Sequence, residues 1–189
     1  MTRRYQAFAE CNVRDIKVRR CVLWNAEPGN ALEIGYELRC NEVSDVVFED
    51  CDIIHCEYEG NQSGGVLTIH NADRAKVHNV RYENIRIEDA QEKLVDIKIL
   101  DCKYSLDRVR GDVENIVFRN IDVTGPLFPV SIIRGFEMTN EMHRPRDIRF
   151  ENVTVQGRTM HSANEMRMVV ELAHELQFEG RVTLEKPEY

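Results

Sequence analysis

The sequence predicts an all-β chain, a right-handed parallel β-helix of about five coils with about three short strands in each. Three observations predict it. Five segments align without gaps: RDIKVRRCVL from Arg14, SDVVFEDCDI from Ser44, HNVRYENIRI from His78, ENIVFRNIDV from Glu114 and RDIRFENVTV from Arg146. Their third residues, Ile16, Val46, Val80, Ile116 and Ile148, step by 30, 34, 36 and 32 residues. Each column of the alignment also keeps one chemistry. Val18, Phe48, Tyr82, Phe118 and Phe150 form one column, Cys21, Cys51, Ile85, Ile121 and Val153 another, and Leu23, Ile53, Ile87, Val123 and Val155 a third. Between the first and second of these columns lie Arg20, Asp50, Asn84, Asn120 and Asn152, where the apolar–polar alternation slips by one residue. Asn and Asp tolerate left-handed backbone and bond to nearby main chain, so this column marks a corner between two short strands. Stacked corners let each amide bond to the coil above and below.

The elements follow in order. The repeat is already running at Val13, preceded only by MTRRYQAFAEC. Either those residues cover the first coil or the chain begins partway along a longer solenoid. A further strand accompanies each corner pair: ALEIGY at 31–36, VLTIHN at 66–71, LVDIKIL at 94–100 and PVSIIRG at 129–135. A propeller, the competing architecture, needs hairpin turns of the Asn-Gly type, which the sequence lacks. Residues 1–157 therefore form the coils, and 158–189 a terminal or capping segment of the same domain. There MVVELAHEL reads as a coil strand or a short helix, and LQFEGRVTLE as a final strand pair.

Composition narrows the function classes. Lys and Arg number 25 against 33 Asp and Glu, a formal net charge of −8 with both signs scattered. Nucleic-acid binders depend on clustered cations, so that class is excluded. No apolar run reaches the length of a membrane span, and the N-terminal residues lack the pattern of a signal peptide. Cys11, Cys21, Cys40, Cys51, Cys56 and Cys102 form no CxxC pair, so neither a zinc cage nor a redox dithiol is expected, and no cofactor is implied. Cys21 and Cys51 share an inward column as small hydrophobes; a disulfide between them is conceivable but not required.

Alternation assigns faces in the accompanying strands. Leu32, Ile34, Leu67, Ile69, Val95, Ile97, Ile99, Val130 and Ile132 point inward. Outward on a solvent face lie Glu33, Thr68, Asp96 and Ser131, then Gly35, His70, Lys98 and Ile133. Glu33 and Asp96 sit two coils apart, roughly 9–10 Å at the spacing of paired strands. That is near the upper end of the separation, about 6.5–9.5 Å, at which an acid and a base flank a sugar and a water in inverting glycosidases. A solvated acid pair with no role is the plainer account. His70 and Lys98 share a column within reach of an anionic ligand, or Lys98 simply neutralises Asp96. Trp24 and Tyr36 flank the loop NAEPGN, where an aromatic face can carry a sugar ring or fill space beneath the loop.

The stretches CVLWNAEPGNALEIGYE, VSDVVFEDCDIIH and GGVLTIHNADRAKVHNVRYENIRIED resemble the C-terminal half of the family 28 glycoside hydrolases, the polygalacturonases and their pectin-degrading relatives. The resemblance covers roughly residues 12–157. It implies a parallel β-helix that hydrolyses galacturonan or rhamnogalacturonan with inversion, acting on a polysaccharide outside the cell or in the periplasm. Where the family carries Gly-His-Gly this chain has Gly29-Asn30-Ala31, and where it carries Arg-Ile-Lys it has Thr68-Ile69-His70. The family's aspartate pair belongs about one coil before Gly29, where YQAFAE offers only Glu10. Two functions follow. One is a divergent or incomplete carbohydrate-active β-helix with Glu33 and Asp96 as its acids and Asn30, Thr68, His70, Lys98, Trp24 and Tyr36 around the glycan. The other is a β-helix that binds glycan or serves as a rod without catalysis. An uncovered coil end also predicts self-association through exposed strand edges.

Overall fold

The computed structural model describes residues 11–26, 30–57 and 64–180. Its strands are β1 (Asn12–Arg19), β2 (Val22–Asn25), β3 (Leu32–Tyr36), β4 (Glu42–Glu49), β5 (Asp52–Cys56), β6 (Gly65–Asn71), β7 (Lys76–Ile87) and β8 (Lys93–Ile99). There follow β9 (Val113–Val123), β10 (Ser131–Arg134), β11 (Phe136–Met138), β12 (Glu141–His143), β13 (Arg146–Val155), β14 (Arg158–Thr159), β15 (Met168–Glu171) and β16 (Leu176–Glu179). No helix occurs among the described residues.

These strands stack as the parallel β-helix that the repeat predicts. One sheet runs β1-β4-β7-β9-β13, with β16 parallel to β13 and β2-β5 joining at β7; the other runs β15-β10-β8-β6-β3. Register follows the sequence columns: Ile16 pairs with Val46, Val46 with Val80, Val80 with Ile116, and Ile116 with Ile148. The stack makes about four turns rather than five.

Parallel stacking turns each column into a physical ladder. Phe48, Tyr82, Phe118, Phe150 and Phe178 lie ring on ring at centroid separations of 4.8, 4.9, 5.0 and 4.9 Å. Buried Tyr82 keeps its hydroxyl satisfied by donating to the Thr68 carbonyl at 2.9 Å, and burial pushes its phenol far above the ordinary range. At the corner column φ is 54° at Arg20, 53° at Asp50, 55° at Asn84, 54° at Asn120 and 52° at Asn152. Asn152 Nδ2 donates to Asn120 Oδ1 at 2.7 Å, and Asn120 Nδ2 to Asn84 Oδ1 at 2.9 Å.

A second left-handed column, at Asp15, Asp45, Asn79, Asn115, Asp147 and Glu175, adds another corner that alternation alone misses. It carries its own ladder, Asn115 Nδ2 to Asn79 Oδ1 at 2.7 Å and Asn79 Nδ2 to Asp45 Oδ1 at 3.1 Å. The kink places Val43, Val77 and Val113 inward together with the residues three positions later.

Several expectations change. MVVELAHEL is no helix: β15 pairs parallel with β10, and β16 continues the stack with Leu176 on Ile148 and Phe178 on Phe150. Residues 1–10, including Glu10, the loop positions 27–29, and the final segment from 181 lie outside the described residues. In β10 the faces are shifted by one. Ile132 pairs with Asp96 and Ile133 with Ile97, so Ile133 is the core residue, Val130 is exposed, and Ser131 is buried. This register buries Ile133 in the core, and with it Ser131 Oγ accepts from the Val95 amide at 3.3 Å. All six cysteines are free thiols, with Cys51 and Cys56 in the core.

Candidate functional site

The largest departure from the sequence reading is the face expected to meet solvent. In β6 and β8 every residue is buried, including Thr68, His70, Asp96 and Lys98. Alternation correctly places them on the side of the sheet away from the core. It cannot register that these side chains are nonetheless buried, since it describes only which way each leaves its strand. Tyr36, partly buried on β3, packs its ring 4.6 Å from the His70 ring and meets Tyr104 edge-on at 6.2 Å.

Strand pairing brings the site together. Glu33 sits opposite Thr68 and Thr68 opposite Asp96, while Gly35, His70 and Lys98 line the next column. His70 bridges the two acids. Its Nδ1 donates to Glu33 Oε1 at 3.1 Å, and its Nε2 lies 3.1 Å from Asp96 Oδ2, within ion-pair range but too far off axis for a hydrogen bond. Lys98 Nζ donates to Asp96 Oδ2 at 2.8 Å. Lys93 Nζ lies 3.7 Å from the same oxygen and donates to Glu92 Oε1 at 2.9 Å and to the Gly64 carbonyl at 2.8 Å.

Glu33, Glu92 and Asp96 lie against His70, Lys93 and Lys98, and a buried charge that loses its partner costs several kcal/mol in low dielectric. Burial by itself lowers the His70 pKa, but Asp96 and Glu33 together outweigh it and hold the imidazolium above its ordinary value. Lys98 shows the opposite balance, burial pulling it down further than Asp96 raises it.

The remaining sequence candidates separate. Thr68 donates from Oγ1 to the Leu32 carbonyl at 3.2 Å, and Asn30 Oδ1 accepts from the Gly65 amide at 2.6 Å, so both side chains tie one coil to the next. Trp24 is 70% exposed on β2, in the other sheet, stacked on His55 at 4.8 Å. His55 is held by Asp89 at 2.8 Å.

Residues that alternation did not select include Glu92 and Lys93 at the entry to β8, and Tyr104 in the loop after it. That loop is fixed from below. Buried Asp73 accepts from the Leu106 and Asp107 amides, each at 2.8 Å, and buried Arg110 donates to the carbonyls of Ala72 and Asp107. No periodic signal in the sequence announces such a loop. Among the described residues no group of His, Cys, Asp and Glu is arranged to hold a metal. No family model, curated protein or solved structure matches the chain.

Proposed function

We propose that the protein is a carbohydrate-active β-helix that engages a polysaccharide beside Glu33 and Tyr36 on β3, as its resemblance to family 28 glycoside hydrolases implies. The observation that carries this reading is the Glu33–His70–Asp96–Lys98 cluster beneath the Tyr36 ring. A face built only for stacking reaches its stability with apolar ladders, whereas buried ionic clusters contribute little net stability. Convergent polar groups beside aromatic rings are the usual furniture of a sugar site.

Hydrolysis of an O-glycosyl bond assigns Glu33 and Asp96 as acid and base. A second reading, binding without cleavage, has its own support: both carboxylates are already engaged by His70, and Asp96 is fully buried, away from any attacking water.

Reducing-end release from pectic and neutral polysaccharides separates the two, measured beside affinity electrophoresis on the same glycans. Release by the full chain that disappears in Glu33→Gln supports hydrolysis. Glycan retardation without release supports binding alone. Neither release nor retardation on any glycan overturns the carbohydrate assignment.

A further inference from the structure

Resting on the proposed carbohydrate reading, we infer that the site takes an uncharged glycan, not a uronate, because the cations of its cluster are matched internally and the most exposed charge of that cluster is the Glu33 carboxylate. Each cation of the cluster is committed to a carboxylate. Lys98 goes to Asp96 at 2.8 Å, Lys93 to Glu92 at 2.9 Å, and His70 lies between Glu33 and Asp96 at 3.1 Å from each. On the neighbouring strand β10, Arg134 is committed to Glu171 at 2.6 Å. At the rim, exposed Lys103 lies over the Tyr104 ring, 4.9 Å from its centroid.

Exposure then sorts the members. The Glu33 side chain is 26% exposed, against 11% for Lys98, 9% for Lys93 and none for His70 or Asp96. Of the charged groups in the cluster, the Glu33 carboxylate is the first that a ligand approaching beside Tyr36 meets. A uronate carboxylate brought there is desolvated against a like charge, which disfavours it. Sugar hydroxyls, in contrast, donate to Glu33, and a sugar's apolar face lies on the neighbouring aromatic ring. Thr68 and His70 reinforce this polarity. The threonine is uncharged and fully buried, and the histidine's charge is screened from solvent by Tyr36 and balanced by its two acids.

The test titrates the full chain with neutral galacto-, arabino- and manno-oligosaccharides and with an oligogalacturonate of equal length, by isothermal calorimetry at low and at high salt. At least one neutral oligosaccharide is expected to bind on the order of ten-fold tighter than the oligogalacturonate at low salt, with the gap narrowing at high salt as repulsion is screened. Glu33→Gln should narrow the gap at low salt, and the salt series on the unaltered protein gives the same readout without relying on how that variant folds. An oligogalacturonate that binds as tightly as the neutral sugars, or whose affinity falls as salt rises, overturns the inference while leaving the carbohydrate reading in place. Failure of every oligosaccharide to bind overturns both.

Discussion

Asp96→Asn is the sharpest single test of the cluster. The substitution keeps the shape of the side chain and removes one charge at a position with no solvent exposure. Asp96 Oδ2 is shared by Lys98 at 2.8 Å, His70 at 3.1 Å and Lys93 at 3.7 Å. The variant removes the carboxylate that Lys98 and His70 share and leaves their buried positive charge without it. Removing one partner of a buried ion pair costs about 3–5 kcal/mol, because the surviving charge stays desolvated. For a domain of this size that corresponds to a fall in Tm of roughly 6–20 °C. Urea unfolding followed by circular dichroism, with the slope m unchanged, reads the loss as a lower midpoint. Asp96→Asn combined with Lys98→Met should recover a large part of it, since the Lys98 charge is then removed as well. A loss below about 1 kcal/mol, or no recovery in the double variant, would show that the acid is solvated and the buried-pair argument wrong.

Other outcomes follow from the same contacts. His70, held above its ordinary value of about 6.5 by Asp96 and Glu33, contributes stability that is fully present below pH 6.5 and lost as pH rises through its raised folded value; His70→Gln should flatten that decline in urea midpoints measured from pH 6 to 9. Phe118→Ala, in the middle of the ring ladder between Tyr82 and Phe150, should cost about 3–5 kcal/mol in chemical unfolding. Asn120→Ala should destabilise by about 1–3 kcal/mol, as it loses the amide ladder and leaves a β-carbon residue at φ 54°. Asn120→Gly, which accepts that backbone, should cost less than Asn120→Ala; equal losses would mean that the ladder alone matters.

The solenoid was legible because a parallel stack repeats its contacts in the chain. When every coil lies on the last in register, the neighbours of Phe118 are one period away in each direction, so Tyr82 and Phe150 appear as a column before any coordinates exist. The corner at Asn84, Asn120 and Asn152 was equally visible, since only a narrow set of side chains suits a left-handed backbone and they recur at the same phase. The second corner, at Asn79 and Asn115, carried the same signal but sat where an outward polar residue was already expected.

The site was legible only as a set of residues. Alternation put Glu33, Thr68, His70, Asp96 and Lys98 on one side of the sheet, and the two-coil offset between Glu33 and Asp96 held. Part of their cover comes from elsewhere: Tyr36 lies against His70, and Tyr104, in the loop anchored on Asp73 and Arg110, meets Tyr36. Periodicity describes which way a side chain leaves its own strand and is silent on what arrives from a distant, aperiodic segment. The shift of Ile132 and Ile133 has the same origin. The register of β10 is fixed by its pairing with β8 and β15, and a strand's register is a property of the pair of strands, not of either sequence alone.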